Sequence, residues 1–471
     1  VVVVVNKIKG KKVLVLGLAK SGRAAVRLLL KAGACKVVAN DLKEASLLQG
    51  EMGEPGKDPR VELVGGGHPE SLLEGVSLII KSPGIKPELA LLQKAREKGI
   101  PVYPEIELAG CFSQSPLIGI TGTNGKTTTT SLTGEIFRQQ FKGVHVAGNI
   151  GFPLCEAVME ASREDYIIAE LSSFQLEDIH SFRVHIAAVL NITPDHLDYH
   201  GSVESYAGAK RKILLNQTAQ DWAVLNWDDP LVRSFRSAVR GKIMPFSRKE
   251  ELNPGVYVKE HKIFISDGRH TRIVCPVEEI RIPGLHNLEN ALAAVAVSWV
   301  AGVATETIAR GLKIFPGVPH RLERVIEIRG VTFINDSKGT NPDATLTALR
   351  AVPGAKVLIA GGLNKGSDFR PLVKSMAAEG VKSLILLGET ASLMELLARE
   401  EGFTDVFIVP DLHAAVQKAF RSAASGDTVL LSPACASWDM FNSFEERGEV
   451  FKSAVFSLKE ALEREKCPYR A

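Results

Sequence analysis

The stretch Gly122-Thr123-Asn124-Gly125-Lys126-Thr127-Thr128 follows an apolar run, "LIGIT", and precedes a helix-forming segment. Glycines there let backbone N–H groups converge on an anion at a helix N-terminus. Lys126 can neutralise charge on the β- and γ-phosphates of a nucleotide, and Thr127 can place a hydroxyl on Mg²⁺. The spacing is unusual: the first glycine lies three residues before the second, not five. The competing reading is a glycine turn with a surface lysine.

Further candidates sit where apolar runs end. "AELSSFQLE" puts Glu170 at a strand end, and "NITPDHLDYHG" puts Asp195, His196, Asp198 and His200 in a loop after another. Parallel sheets carry their ligand sites at such ends. Among these side chains a carboxylate is the preferred Mg²⁺ ligand. By spacing alone His196 reads as a structural imidazole. Lys210, in "VESYAGAKRKILL", reads as a solvated helix lysine.

The last third repeats the pattern. "PHRLERV" carries His320 and Arg321, and "FINDSKGTNPDA" carries Asn335, Asp336, Ser337, Lys338 and Thr340. "GGLNKGSDF" adds Lys365, and "LSPACASWDMFNSFEERG" adds Ser437 and Phe444. Polar residues at several strand ends describe a pocket, and its lysines suit an anionic substrate. Near the start, "GLAKSG" has Ala19 where a dinucleotide site wants glycine. Asp41 can accept hydrogen bonds from a sugar or a base. Cofactor turn and structural turn both stay open there.

These groups need a scaffold of several domains. At 471 residues the chain is too long for one ordinary core. The alternation of apolar runs with helical periodicity predicts an α/β fold in three parts. Residues 1–112 form a Rossmann-like unit, 113–317 a phosphate-loop ATPase-like unit, and 318–471 a second Rossmann-like doubly wound sheet. Residues 242–282 read as a small antiparallel insert. The N-terminal "VVVVV" reads as a ragged start or part of a first strand.

Hydrophobic residues make up 45%, charged residues 24%, and the formal net charge is +3. Nothing in that balance argues for nucleic acid or an anionic membrane. No apolar run reaches the ~20 residues of a membrane span. Six cysteines without metal spacing predict reduced, mostly buried thiols. The expectation is a cytoplasmic monomer acting on small molecules.

Taken together, the motifs resemble the Mur ligase family nearly end to end, and specifically its D-glutamate-adding branch. "GITGTNGKTTTT", "AGNIG", "AELSSFQLE", "LNITPDHLDYHG", "AKRKI", "GLHNLENALAA", "PHRLERV", "NDSKGTN", "GGLNKGSDF" and "LSPACASWDMFNSFEERG" carry the likeness. The chain lacks the Tyr-Gly/Ala-His and Asp-Asn-Pro-Arg stretches associated with other branches. The resemblance implies ATP-dependent addition of D-glutamate to UDP-N-acetylmuramoyl-L-alanine, with Mg²⁺, in peptidoglycan precursor synthesis.

It also implies roles. Gly122 to Thr128, Asn287, Asn290, Arg321 and Asp336 would serve ATP. Thr127, Glu170 and His196 would form the metal site with Lys210, the match to a lysine that becomes carbamylated. Lys126, His196 and Lys210 would be the catalytic set. Leu18, Asp41, Ser82 and Asn149 match the UDP-substrate site, and Lys338, Thr340, Lys365, Ser437 and Phe444 the D-glutamate pocket.

Two departures stand out. Ala19 replaces a hydroxyl residue frequent in this branch, and Pro342 enters a variable stretch where it suits a first helical turn. A folylpolyglutamate synthetase would share the ligation but normally begins at the phosphate loop. A non-catalytic scaffold has no use for Lys126, Thr127, Glu170, His196 and Lys210 together. A dinucleotide oxidoreductase leaves the Lys126 loop unexplained.

Overall fold

The computed structural model describes residues 2–364 and 366–465, so Lys365 and Cys467 lie outside the described residues. Within it, runs such as "KVLVL", "LIGIT" and "KVLIA" are buried along their length. Such two-sided burial belongs to parallel strands covered by helices on both faces.

The first sheet comprises β1 (Lys12–Leu16), β2 (Lys36–Asn40), β3 (Val61–Val64), β4 (Val76–Lys81) and β5 (Val102–Pro104). Its order is β3-β2-β1-β4-β5, all parallel. The order reverses between β1 and β4, and their ends carry Gly17 and Ser82. A crevice at such a reversal is where open α/β sheets bind ligands.

The second sheet comprises β6 (Leu117–Thr121), β7 (Val144–Gly148), β8 (Tyr166–Glu170), β9 (Ile186–Val189), β10 (Trp222–Asn226), β11 (Lys242–Ser247), β12 (Gly255–Lys259), β13 (Lys262–Ser266) and β14 (Thr271–Pro276). Its order is β14-β13-β12-β11-β10-β9-β6-β8-β7. β6 lies between β8 and β9, so the phosphate loop is flanked by the ends carrying Glu170 and Leu190. The antiparallel strands expected from 242 to 282 are β12, β13 and β14. They continue this sheet at its edge, and β11 pairs in parallel with β10 and β12.

The third sheet comprises β15 (Glu323–Ile328), β16 (Val331–Asn335), β17 (Lys356–Ala360), β18 (Val381–Leu386), β19 (Val406–Ile408) and β20 (Thr428–Leu431), in the order β15-β16-β20-β17-β18-β19. β15 is antiparallel and half-exposed at the edge, so its "ERVIEI" lacks the buried-strand signature. Pro342 opens the helix Pro342–Ala351, capped by Asn341.

Two compact units result: Val1–Arg281 with His286–Phe315, and Ile282–Leu285 with Pro316–Ala471. The first contains two sheets. Helices Lys20–Lys31 and Glu105–Phe112 pack on helix Leu154–Glu160, so one apolar core runs from Val4 to Phe235. The valine run is not a strand. Val2–Asn6 is a short helix, and Val4 is buried in this core.

Gly22 makes the sharp turn after β1 possible. A Cβ there would lie 1.8 Å from the Gly17 carbonyl oxygen and 2.8 Å from Ser82 Oγ. Gly22→Ala is expected to cost at least about 2 kcal/mol, as an overpacked core does. Urea denaturation of the purified variant checks this, and an unchanged midpoint would refute the packing argument.

Candidate active site

The phosphate loop leaves β6 with Gly122 and enters the helix Lys126–Arg138 through Gly125, whose φ is +84°. No larger residue fits at 125, because a Cβ would meet Asn290 Oδ1 at 2.1 Å. Asn290 in turn accepts from the Thr129 hydroxyl at 3.3 Å and donates to Asn287 Oδ1 at 3.2 Å. Thr127 and Thr128 are buried in the first helical turn.

The opposite side of the loop is held by a residue that pattern reading missed. Asn191 accepts from Thr123 N through its carbonyl at 2.8 Å and from Asn124 N through Oδ1 at 2.8 Å. Its Nδ2 donates back to the Asn124 carbonyl at 3.1 Å. The asparagine before "ITPDH" was its only signal.

Two lysines meet at one oxygen. The Gly122 carbonyl accepts from Lys126 Nζ at 2.9 Å and from Lys210 Nζ at 2.8 Å. Lys126 also donates to the Thr123 carbonyl at 2.7 Å. Lys210 is not the solvated helix lysine that composition suggests: it is 1% exposed and lies 4.6 Å over the Tyr206 ring. Burial, and next the Lys126 charge, lower its pKa to about 6, while Asp195 and Glu170 pull the other way. At neutral pH Lys210 therefore carries a free amine, a nucleophile rather than a cation.

Glu170 is buried at the end of β8. Its Oε1 accepts from Asn149 Nδ2 at 2.9 Å, and its Oε2 has no hydrogen-bond partner among the described residues. An orphaned buried carboxylate oxygen near Lys210 and the loop suits a cation. Among the described residues no three His, Cys, Asp or Glu side chains form a metal cage. A Mg²⁺ ion takes one or two protein carboxylates and completes its shell with water and phosphate oxygens. His196 adopts a left-handed backbone, φ +51°, and is half exposed. Its ring packs 4.9 Å from Phe174.

In the first sheet, Leu18, Asp41 and Ser82 surround one turn. Asp41 Oδ2 accepts from Leu18 N at 2.6 Å, and Ser82 Oγ donates to the Gly17 carbonyl at 2.7 Å. The Leu18 side chain is in the core, so only its backbone faces the turn. Asn149 stands apart from these three, beside Glu170.

The second unit holds its own cluster. Asp336 is buried, which pushes its pKa up to about 6, and it accepts from Ser432 Oγ at 2.7 Å and Leu322 N at 3.2 Å. Lys338 Nζ lies 5.5 Å over the Phe444 ring, and Thr340 N donates to the Lys338 carbonyl. Ser437 is buried, while Arg321 is only partly so.

Beneath these residues lies Arg447, unforeseen inside "FEERG". It donates to Ser337 Oγ at 3.0 Å, the Ser337 carbonyl at 2.8 Å and the Cys435 carbonyl at 3.1 Å. Burial lowers its pKa to about 10. It ties the loop after β16 to the loop after β20. The thiols of Cys155, Cys275 and Cys435 are buried as expected, whereas Cys35 is exposed.

Family models match along the chain. They are the Mur ligase MurD-like N-terminal domain over residues 11–104, the Mur ligase middle domain over 120–298 and the Mur ligase glutamate ligase domain over 320–435. A UDP-N-acetylmuramoylalanine--D-glutamate ligase of Thermoanaerobacter sp. (strain X514) is 49% identical over 96% of this chain and 100% of its own. One of the same name from Clostridioides difficile (strain 630) is 44% identical over 96% and 100%. Among solved structures, the UDP-N-acetylmuramate-alanine ligase MurC of Thermotoga maritima superposes with a TM-score of 0.59. At 17% identity over 95% of this chain and all of that one, it speaks for the fold alone.

The Lys210 shift has a consequence for stability. The unfolded chain takes up this proton near 10.5 and the folded protein only near 6. Across that window the unfolded state binds more protons, so stability rises with pH. Lys210→Met is expected to flatten the rise, measured as urea midpoints at about pH 6.5 and about pH 9. A rise as steep in the variant as in the parent would contradict the assignment.

Proposed function

The chain belongs to the Mur ligase family, and from that premise we propose that it is an ATP-dependent ligase that joins D-glutamate to UDP-N-acetylmuramoyl-L-alanine. The observation that carries the reading is the convergence of Lys126, Lys210 and the Glu170 carboxylate around the phosphate loop. Full-length similarity to D-glutamate ligases supports the substrate. The reaction belongs to peptidoglycan precursor synthesis, with its nucleotide substrates in the cytoplasm and the enzyme as a monomer.

The division of labour follows the sheets. Residues 1–112 hold the uridine diphosphate at the turn of Leu18, Asp41 and Ser82. Residues 113–317 hold ATP on the loop Gly122–Thr128, with Asn287 and Asn290 on its nucleotide side. Residues 318–471 present D-glutamate through Lys338, Thr340, Lys365, Ser437 and Phe444, and Arg321 and Asp336 are this unit's own nucleotide-binding candidates.

A carboxylate is a poor electrophile because oxide is a poor leaving group. Transfer of the γ-phosphoryl group from ATP to the L-alanyl carboxylate gives an acyl phosphate and ADP. The D-glutamate amine, as its free base, attacks the carbonyl carbon, a tetrahedral intermediate forms, the nitrogen loses a proton to water, and phosphate departs as the C–O bond breaks. Lys126 leaves the Gly122 and Thr123 carbonyls to meet the transferring phosphate charge.

Thr127, Glu170 and His196 would hold Mg²⁺. When bound, the ion neutralises phosphate charge and orients the γ-phosphoryl group. The Lys210 amine is suited to add CO₂ and lose a proton to water, giving a carbamate that supplies a further carboxylate-like oxygen.

The direct test measures phosphate release with UDP-N-acetylmuramoyl-L-alanine, ATP and a panel of amino acids. D-glutamate is expected to stimulate release, and stimulation by a different amino acid alone would overturn the substrate. Lys126→Ala should lower turnover at least ~10²-fold, the scale of losing one transition-state charge contact. Lys210→Ala should be inactive yet folded and partly restored by a short-chain carboxylic acid. Failure of that rescue would remove the carbamate from the scheme.

A further inference from the structure

Helix Ser173–Glu177 begins three residues after Glu170, and the segment from Gln175 to Phe182 is held at three points by Lys81 at the end of β4 and by Glu105 and Glu107 of the helix Glu105–Phe112. Gln175 Nε2 donates to Glu105 Oε1 at 2.9 Å. Glu107 accepts the backbone N–H groups of His180, Ser181 and Phe182 at 2.9, 2.6 and 3.0 Å. Lys81 Nζ lies 2.6 Å from Asp178 Oδ2 at the helix C-cap.

The third contact has no obvious need to be ionic. Lys81 is 1% exposed, and neither Lys81 Nζ nor Asp178 Oδ2 has a hydrogen-bond partner among the described residues beyond this pair. The Asp178 side chain is 28% exposed, and such a partly buried ion pair adds little net stability, because desolvation and solvent screening offset the attraction. It does fix geometry, since each charge holds the other at one distance. Lys81 is also the last residue of β4, joined directly to Ser82, whose hydroxyl closes the turn at Gly17. One chain of contacts thus runs from the turn at Ser82, through Lys81 and Asp178, along the helix to Glu170.

We propose that the Lys81–Asp178 pair is a positioning element that fixes the span between the diphosphate turn and the Glu170 site, and so selects a UDP-linked acid of one length. The idea rests on the functional reading above. A ligand anchored at both ends gains from its second anchor only when the two sites are held at matching separation. A ligand that reaches one anchor is indifferent to the span.

That difference separates positioning from support of the fold. Calorimetric titrations of UDP and of UDP-N-acetylmuramoyl-L-alanine are compared between the parent and the charge-free double variant K81M/D178L. UDP affinity is expected to stay within about twofold, while the full-length substrate weakens about tenfold. Equal losses for both ligands, or no loss for either, would overturn the proposal. Should the double variant unfold, Lys81→Arg keeps the charge, alters its reach and gives the same comparison. A parent protein that binds neither ligand overturns the functional reading and this proposal with it, whereas selective failure of the span effect leaves the functional reading intact.

Discussion

The carbonyl oxygen of Gly122 is the point on which the central site turns. It accepts from two lysines that arrive from different helices, Lys126 from the phosphate loop and Lys210 from beyond β9. Burial of Lys210, and next the Lys126 ammonium sharing the same oxygen, disfavours its charged form and lowers its pKa. Glycine at 122 is part of the same constraint, because a Cβ there would press on Leu190 at 2.9 Å. Loop shape, Lys126 placement and Lys210 chemistry are therefore one problem with one solution.

The first two sheets are bound by more than apolar packing. Acidic residues of the connecting helix Glu105–Phe112 reach into the segment after β8, and burial pushes Glu105 up to about 7. Such contacts cost desolvation and return direction. They fall within and just after the helix that follows Glu170. In the second unit Arg447 does comparable work, tying two strand-end loops through three hydrogen bonds.

Much of this architecture was readable as a string. "LIGIT", "KVLIA" and "DTVLL" announce buried parallel strands because both faces are covered. Half-covered edge strands give weaker signals, so "VELV" and "ERVIEI" went unannounced. The valine run misleads for a different reason: β-branched residues favour strands, yet Val2–Asn6 is a short helix with Val4 buried.

The sequence by itself determined the glycine turn and Lys126 between an apolar strand and a helix, and Glu170 at a strand end, because each is written in neighbouring residues. Only the tertiary structure decided that Lys210 is buried against the Gly122 carbonyl, that Asn191 clamps the loop, and that Lys81 meets Asp178. Those facts depend on partners up to about a hundred positions away. Local periodicity tells which face a residue occupies, but burial and charge pairing are set by what packs against that face.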